Sequence, residues 1–318
     1  MIRPLQCVLL LATALAAQAA EDPGDRPVRP APEIQTGRPV FPVGLEMVNL
    51  TVSVRDAKGQ LHTDLEEPHF VVYENDVPQR IQLFARAVEP GQEEALALDL
   101  GMLFDTSESM VKELRFAQEA ASRFLESIPR ARDLLTIFFD DDIRVSRYDS
   151  EHQQGLMQRI FQAKGGGHTA LRDAIAVYVS RVADTPGRKT LVLFSDGEDS
   201  TSAITLQESL ALVRSSQVTI YPVAFMGTFS MGSNRALSAR NFLGLLAQLS
   251  GGQMYVPRTS KDLPKIYDQI LDELRSQYVI GYVPDNLKRD GKYRKLRVEV
   301  SVPGLKVRSR PGYTAPSE

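Results

Sequence analysis

Cysteine is nearly absent from this sequence: Cys7 is the only one among 318 residues. It precedes the apolar stretch near the N-terminus instead of ending it, which argues against a lipid-modified lipoprotein cysteine. Once the first residues are removed, no disulfide and no thiol chemistry remain, so stability must rest on a core or on bound ions. An excess of one charge is also missing. Lys and Arg number 37 against 40 Asp and Glu, a formal net charge of -3, and such a chain is not a nucleic-acid binder by electrostatics. Long apolar runs are lacking too. The N-terminal "VLLLATALAA" is about ten residues, too short to cross a bilayer. Arg3 before it and Ala17-Gln18-Ala19 after it make residues 1–19 a secretory signal peptide rather than an anchor. No other segment approaches spanning length. The mature chain is therefore expected to have no integral membrane segment and to reside in the periplasm or outside the cell. Histidine is rare, with only His62, His69, His152 and His168. There is no G-x-S-x-G elbow, no histidine metal motif, and no G-K-[ST] after Gly165-Gly166-Gly167.

What is present divides the chain. Residues 20–44 are rich in proline and charge without apolar periodicity, as a linker is. Residues 45–93 turn to period two. Val48, Leu50, Val52 and Val54 alternate with polar neighbours, and "HFVVYENDVPQRIQLF" gives a strand, an Asn75-Asp76 turn and another strand. Three strands bury little by themselves. Residues 277–318 supply more, in "QYVIGYVP", "KYRKLRVEVSV" and "LKVRSR", where Leu296, Val298 and Val300 face one way and Lys295, Arg297 and Glu299 the other. The two ends are predicted to build one β-sandwich. The basic residues of its last strands read as a solvated face before they read as a surface for acidic partners.

Residues 94–276 have a different grammar. Apolar strands such as "LALDLGMLF", "LLTIFF", "TLVLFS" and "VTIYPVAF" alternate with helices. One helix places Leu114, Ala117, Ala121, Phe124, Leu125 and Ile128 on a single face, and another opens with a Thr205–Glu208 capping box. This pattern predicts an α/β fold: a doubly wound, mainly parallel sheet with helices on both faces, inserted in the sandwich. Such sheets bind ligands at the carboxyl ends of their strands.

Three loops on that edge carry oxygen side chains. Asp105 ends a strand and opens Asp-x-Ser-x-Ser, so Asp105, Ser107 and Ser109 can surround one point. Thr169 follows a glycine run at the start of a helix, and Asp196 lies in Ser195-Asp196-Gly197 after another strand. Five hard oxygens suit a divalent cation, Mg²⁺ first and Mn²⁺ or Ca²⁺ as alternatives. Only two are carboxylates, so the ion keeps positive charge to offer an acidic partner. Taken singly, each loop is an ordinary turn or helix cap. The Asp140-Asp141-Asp142 run reads as a tight turn between strands rather than a calcium site.

At "DTSES", "GGGHTAL" and "LFSDGED" the chain resembles the von Willebrand factor A domain, whose metal-ion-dependent adhesion site uses these three loops. All five positions match. The flanks "HFVVYENDVPQRIQLF", "QYVIGYVPDNLKRDGKYRKLRVEV" and "SRPGYTAP" resemble the exported, Acidobacteria-type von Willebrand factor A-related group. The resemblance implies a protein-binding, adhesion-type module. In it a partner's acidic side chain completes the coordination of the ion. Glu108, His168 and Gly197 are the candidates in this chain for a rim that such a partner contacts, with Glu108 either near the ion or turned to solvent. Glu108 stands where glycine is common. The resemblance also implies a last helix that shifts when ligand binds. Here "KDLPKIYDQILDELRS" runs straight into "QYVIGY", so a shift would pull on the sandwich, and a rigid junction is the alternative. Two other functions are a metal-dependent hydrolase using His168 as base and an envelope component whose ion only stabilises the fold. The non-enzymatic reading is preferred, because no recognisable catalytic motif accompanies His168.

Overall fold

The computed structural model describes residues 47–86, 97–128, 131–148, 153–185, 187–225 and 233–317. The expected signal peptide, the proline-rich linker and His152 lie outside the described residues. Four strands come first: β1 (Val48–Arg55), β2 (Phe70–Glu74), β3 (Val77–Gln79) and β4 (Leu83–Arg86). The middle runs β5 (Leu98–Asp105), α1 (Val111–Ser127), β6 (Asp133–Phe139), β7 (Ile143–Tyr148), α2 (Gln153–Gln162), α3 (Leu171–Val182) and β8 (Arg188–Ser195). It continues with α4 (Leu206–Ser215), β9 (Val218–Ala224), α5 (Asn234–Ser250) and α6 (Leu263–Arg275). The last strands are β10 (Tyr278–Tyr282), β11 (Tyr293–Val300), β12 (Lys306–Arg308) and β13 (Gly312–Thr314).

Both ends of the chain enter both sheets of the sandwich. One sheet has the order β12-β1-β10-β4 and the other β13-β11-β2-β3. The alternation in β1 is the cause. Val48, Leu50, Val52 and Val54 are all buried, and they share one core with Phe70 and Val72 of β2, Ile280 of β10 and Leu296 and Val298 of β11. Asn75 and Asp76 both have positive φ, 49° and 65°, the backbone that a two-residue hairpin requires. The stretch after that turn is not one strand, as its sequence suggests, but two. β3 stays with β2, whereas β4 crosses to β10. Gln79 stands at the corner, where its side chain accepts the Asp285 N–H at 3.0 Å. The basic face of β11 is partnered within the sandwich: Arg297 lies 4.0 Å over the Tyr73 ring, and Lys295 reaches Asp76 at 3.6 Å.

The inserted sheet has the order β7-β6-β5-β8-β9. β5, β6, β8 and β9 are parallel, and β7 returns antiparallel to β6. Every residue of β5, β8 and β9 is buried, which is why those strands are apolar on both faces. On one side Ala117, Ala121, Phe124 and Leu125 of α1 pack with Ile270 and Leu274 of α6. On the other, Leu171, Ile175 and Tyr178 of α3 pack with Leu210 of α4 and with Leu243 and Leu246 of α5. The Thr205–Glu208 box caps α4, and Gly251 in the left-handed region ends α5.

Candidate metal centre

The central strands deliver the site. The Phe104 ring stacks between Phe138 and Phe194, at centroid distances of 5.2 and 4.8 Å. Three neighbouring strand ends are thereby held at one level, and Asp105 is the next residue beyond.

Asp105 is 1% exposed. The Ser107 backbone N–H and hydroxyl both donate to its Oδ1, and the Ser195 hydroxyl donates to Oδ2 at 2.6 Å. Ser107 and Ser109 hydroxyls lie 3.2 Å apart. Burial is the largest influence on this carboxyl and pushes its pKa up to about 7; the Ser107 and Ser195 hydrogen bonds oppose the rise, and the nearby charge of Asp196 adds to it. No Lys, Arg or His is a partner of Asp105 among the described residues. The structure thus brings Asp105, Ser107 and Ser109 into one hydrogen-bonded group, with the charge of Asp196 near enough to act on Asp105.

Thr169 arrives by a different route. The Gly166 N–H donates to the Thr106 carbonyl at 2.7 Å, and the Glu108 N–H to the Gly167 carbonyl at 3.1 Å. These bonds lace the glycine loop to the Asp-x-Ser-x-Ser loop. On its other side, the Thr169 carbonyl accepts from the Ser200 and Thr201 N–H groups, and its own N–H donates to the Ser200 hydroxyl. Thr169 is buried, yet it is not the cap of α3. Ala170 occupies the cap position without a side-chain cap bond. Asp199, from the neighbouring loop, accepts the Arg172 N–H at 2.8 Å instead and takes the Arg172 guanidinium at 2.7 Å. The Thr169 hydroxyl is left without a hydrogen-bond partner among the described residues. Two glycines are obligatory. Gly167 has φ +81°, and a Cβ there would collide with the Asp141 carboxylate; Gly197 has φ +82°, and a Cβ would lie 2.8 Å from the Ala239 carbonyl.

Supporting residues have no signature in the sequence. Asp140 accepts the Thr106 hydroxyl at 2.9 Å and binds Arg144, while its carbonyl accepts the Ala170 N–H at 3.0 Å. The expected Asp140–Asp142 turn is therefore also a brace between two of the three loops. Ser195 is more than part of a turn, since its hydroxyl bridges Asp105 and the Gly197 N–H.

Glu108 and His168 are both exposed. The His168 backbone N–H donates to Asp141 at 3.1 Å. No hydrogen bond joins the His168 ring to a serine among the described residues, and the Ser107 and Ser195 hydroxyls are committed to Asp105.

The donor set fits a hard divalent cation. It holds only oxygens: a buried carboxylate without a counter-charge among the described residues, a second carboxylate whose charge acts on it, and hydroxyl groups. Among the described residues no group of three or more His, Cys, Asp and Glu could hold a metal, so any ion at this edge must rely on hydroxyls.

The profile of the von Willebrand factor type A domain matches residues 99–269, the stretch that builds this sheet and all three loops. The chain belongs to the von Willebrand factor type A domain family. Several solved structures are similar to the chain at low identity. A von Willebrand factor type A protein from Catenulispora acidiphila is 12% identical, with TM-score 0.47, over 70% of this chain and 67% of that one. The pilus adhesin SpaC from Lactobacillus rhamnosus GG, in an open conformation, is 9% identical, with TM-score 0.49, over 79% of this chain and 48% of that one. The domain of the type V pili tip protein Mfa5 from Porphyromonas gingivalis is 13% identical, with TM-score 0.45, over 56% of this chain and 94% of that one. No curated protein matches the sequence. No helix among the described residues is long and apolar enough to cross a membrane.

Proposed function

We propose that this chain is an exported, metal-ion-dependent protein-binding module of the adhesion type. Asp105, Ser107, Ser109, Thr169 and Asp196 hold one divalent cation, Mg²⁺ first, and the acidic side chain of a protein partner completes the coordination. The observation that carries this reading is Asp105: a carboxylate 1% exposed, within reach of the Asp196 charge, with serine hydroxyls and no cation for partners among the described residues. Buried carboxylates require a counter-charge or lose their ionisation, and a bound ion supplies it. With two carboxylates and neutral hydroxyls around it, the ion retains attraction for a further anion. Of the expected rim, Glu108 and His168 are exposed where such a partner would meet them, whereas Gly197 is buried and shapes the loop instead. Export rests on the N-terminal basic, apolar and small-residue pattern.

The test is calorimetric melting with Mg²⁺, Mn²⁺ or Ca²⁺ against chelator. An ion that binds only the native state stabilises it by about 2.7 kcal/mol at a hundredfold excess over Kd. For a chain of this size that is a rise of about 4 °C. Asp105→Ala should not respond. Absence of any ion-dependent rise in the wild type, or an equal rise in Asp105→Ala, would refute the reading. Acidic-partner capture from envelope fractions, with Mg²⁺ against chelator, then separates a binding module from an ion that only stabilises the fold.

A further inference from the structure

The junction between the two domains is built around a single carboxylate. Glu273, in the last turn of α6, is fully buried. Its partners come from both domains. From the sandwich, Arg55 of β1 donates to Oε2 at 2.8 Å, Ser53 of β1 donates to Oε1 at 3.1 Å, and Arg308 of β12 forms an ion pair with Oε1. From the α/β sheet, the Tyr221 hydroxyl of β9 donates to Oε1 at 2.7 Å. The network continues inward. Gln277 donates to the Tyr221 hydroxyl at 2.8 Å, and Arg188, at the start of β8, donates to Gln277 at 3.0 Å and to the Leu274 carbonyl at 2.6 Å. Two further bonds cross the boundary: Arg308 to Gln253 at 2.6 Å, and Arg310 to the Arg214 carbonyl at 2.6 Å.

We infer that Glu273 is a clamp that fixes α6 and locks the sandwich and the α/β domain into one rigid unit. The reasoning is electrostatic and geometric. A carboxylate out of water needs its counter-charges, and here both guanidinium partners belong to the other domain. Only Ser276 and Gln277 separate α6 from β10, so the covalent path is equally short. A helix that moves by one turn travels about 5.4 Å. Such a slide would break every bond to Glu273 and strand one negative and two positive groups. The clamp therefore opposes the axial shift of α6 and holds the loop edge at a fixed angle to the sandwich. A pull on a partner held at that edge passes into the sandwich through a stiff joint. This inference stands on the junction alone and is independent of whether an ion binds.

The experiment uses the full chain with Cys7→Ser and two nitroxide labels, at Leu237→Cys on α5 and Val77→Cys on β3, positions 57% and 51% exposed. Pulsed electron resonance measures their separation, and calorimetry measures melting. The expected result is one narrow distance distribution and one cooperative melting transition. Glu273→Gln keeps the shape of the side chain and removes its charge. It should broaden the distribution and lower the melting temperature by about 3–6 °C. Should that variant not fold, Arg308→Gln, which leaves Arg55 and Tyr221 on Glu273, takes its place with the same expected direction. A broad distribution in the parent chain overturns the inference. So does a charge-removed variant as narrow and as heat-stable as the parent.

Discussion

At Asp105 the protein keeps a carboxylate where ionisation is disfavoured. Its pKa of about 7, raised chiefly by burial, compares with about 4 for an exposed aspartate. Without an ion, the folded state holds this proton more tightly than the unfolded chain does. The residue's contribution to stability then falls as pH rises from about 4 to about 7. At pH 8 the penalty is roughly 3–5 kcal/mol. Asp105→Asn removes the charge and keeps the shape. In chelator at pH 8 this variant should be more stable than wild type, and near pH 4 the two should converge. Adding Mg²⁺ should raise only the wild type. Urea denaturation across pH, with and without chelator, measures all three effects. A variant less stable than wild type in chelator at every pH would show that Asp105 is not held under such strain.

At the scale of elements, the start of α3 shows how one loop positions another. Asp199 satisfies the Arg172 N–H in the first turn of α3 and pairs with its guanidinium, while Ser200 and Thr201 hold Thr169 by its backbone. Asp199→Ala should cost about 1–2 kcal/mol, the usual loss for a helix cap. It should also weaken Mg²⁺ binding, because the loop beside Thr169 loosens. Isothermal titration would measure the second effect, and unchanged affinity would confine Asp199 to a structural role. Much of this architecture was legible in the sequence. The apolar tips of β5 and β8 ending in Asp105 and Ser195, the single apolar face of α1 and the Thr205–Glu208 box each follow from local pattern. Contacts between distant loops were not legible. Nothing near Thr169 announces that Asp199 will take its capping role, and nothing near Asp140 announces Thr106. The helix α2 also escaped, since "QQGLMQRIFQ" contains Gly155 and buries only a short stripe, with Leu156 and Ile160 in the core. The division of β3 from β4 is set by which sheet each joins, a long-range choice that alternation cannot encode.

At the scale of the molecule, the two domains differ in how far each can stand alone. The α/β sheet and both of its cores lie within residues 98–275, so a fragment of residues 94–276 should fold. The sandwich core draws on β1 and β2 as well as on β10, β11 and β13. A fragment of residues 277–318 should therefore stay unfolded by circular dichroism, and its stable folding would contradict the shared core. Glu273 gives the comparison a sharper form. In the full chain it is buried against Arg55 and Arg308, side chains that remain 29% and 26% exposed. That partial exposure moderates the cost of losing the carboxylate to about 2–4 kcal/mol. In the α/β fragment the sandwich is gone and the same carboxylate faces water. Glu273→Gln should there change stability by less than about 0.5 kcal/mol, as surface substitutions do. Chemical denaturation of four proteins, the full chain and the fragment each with and without the substitution, measures the difference. A similar loss in both backgrounds would mean that Glu273 acts through Tyr221 within its own domain, and that the arginines of the sandwich contribute nothing to holding α6.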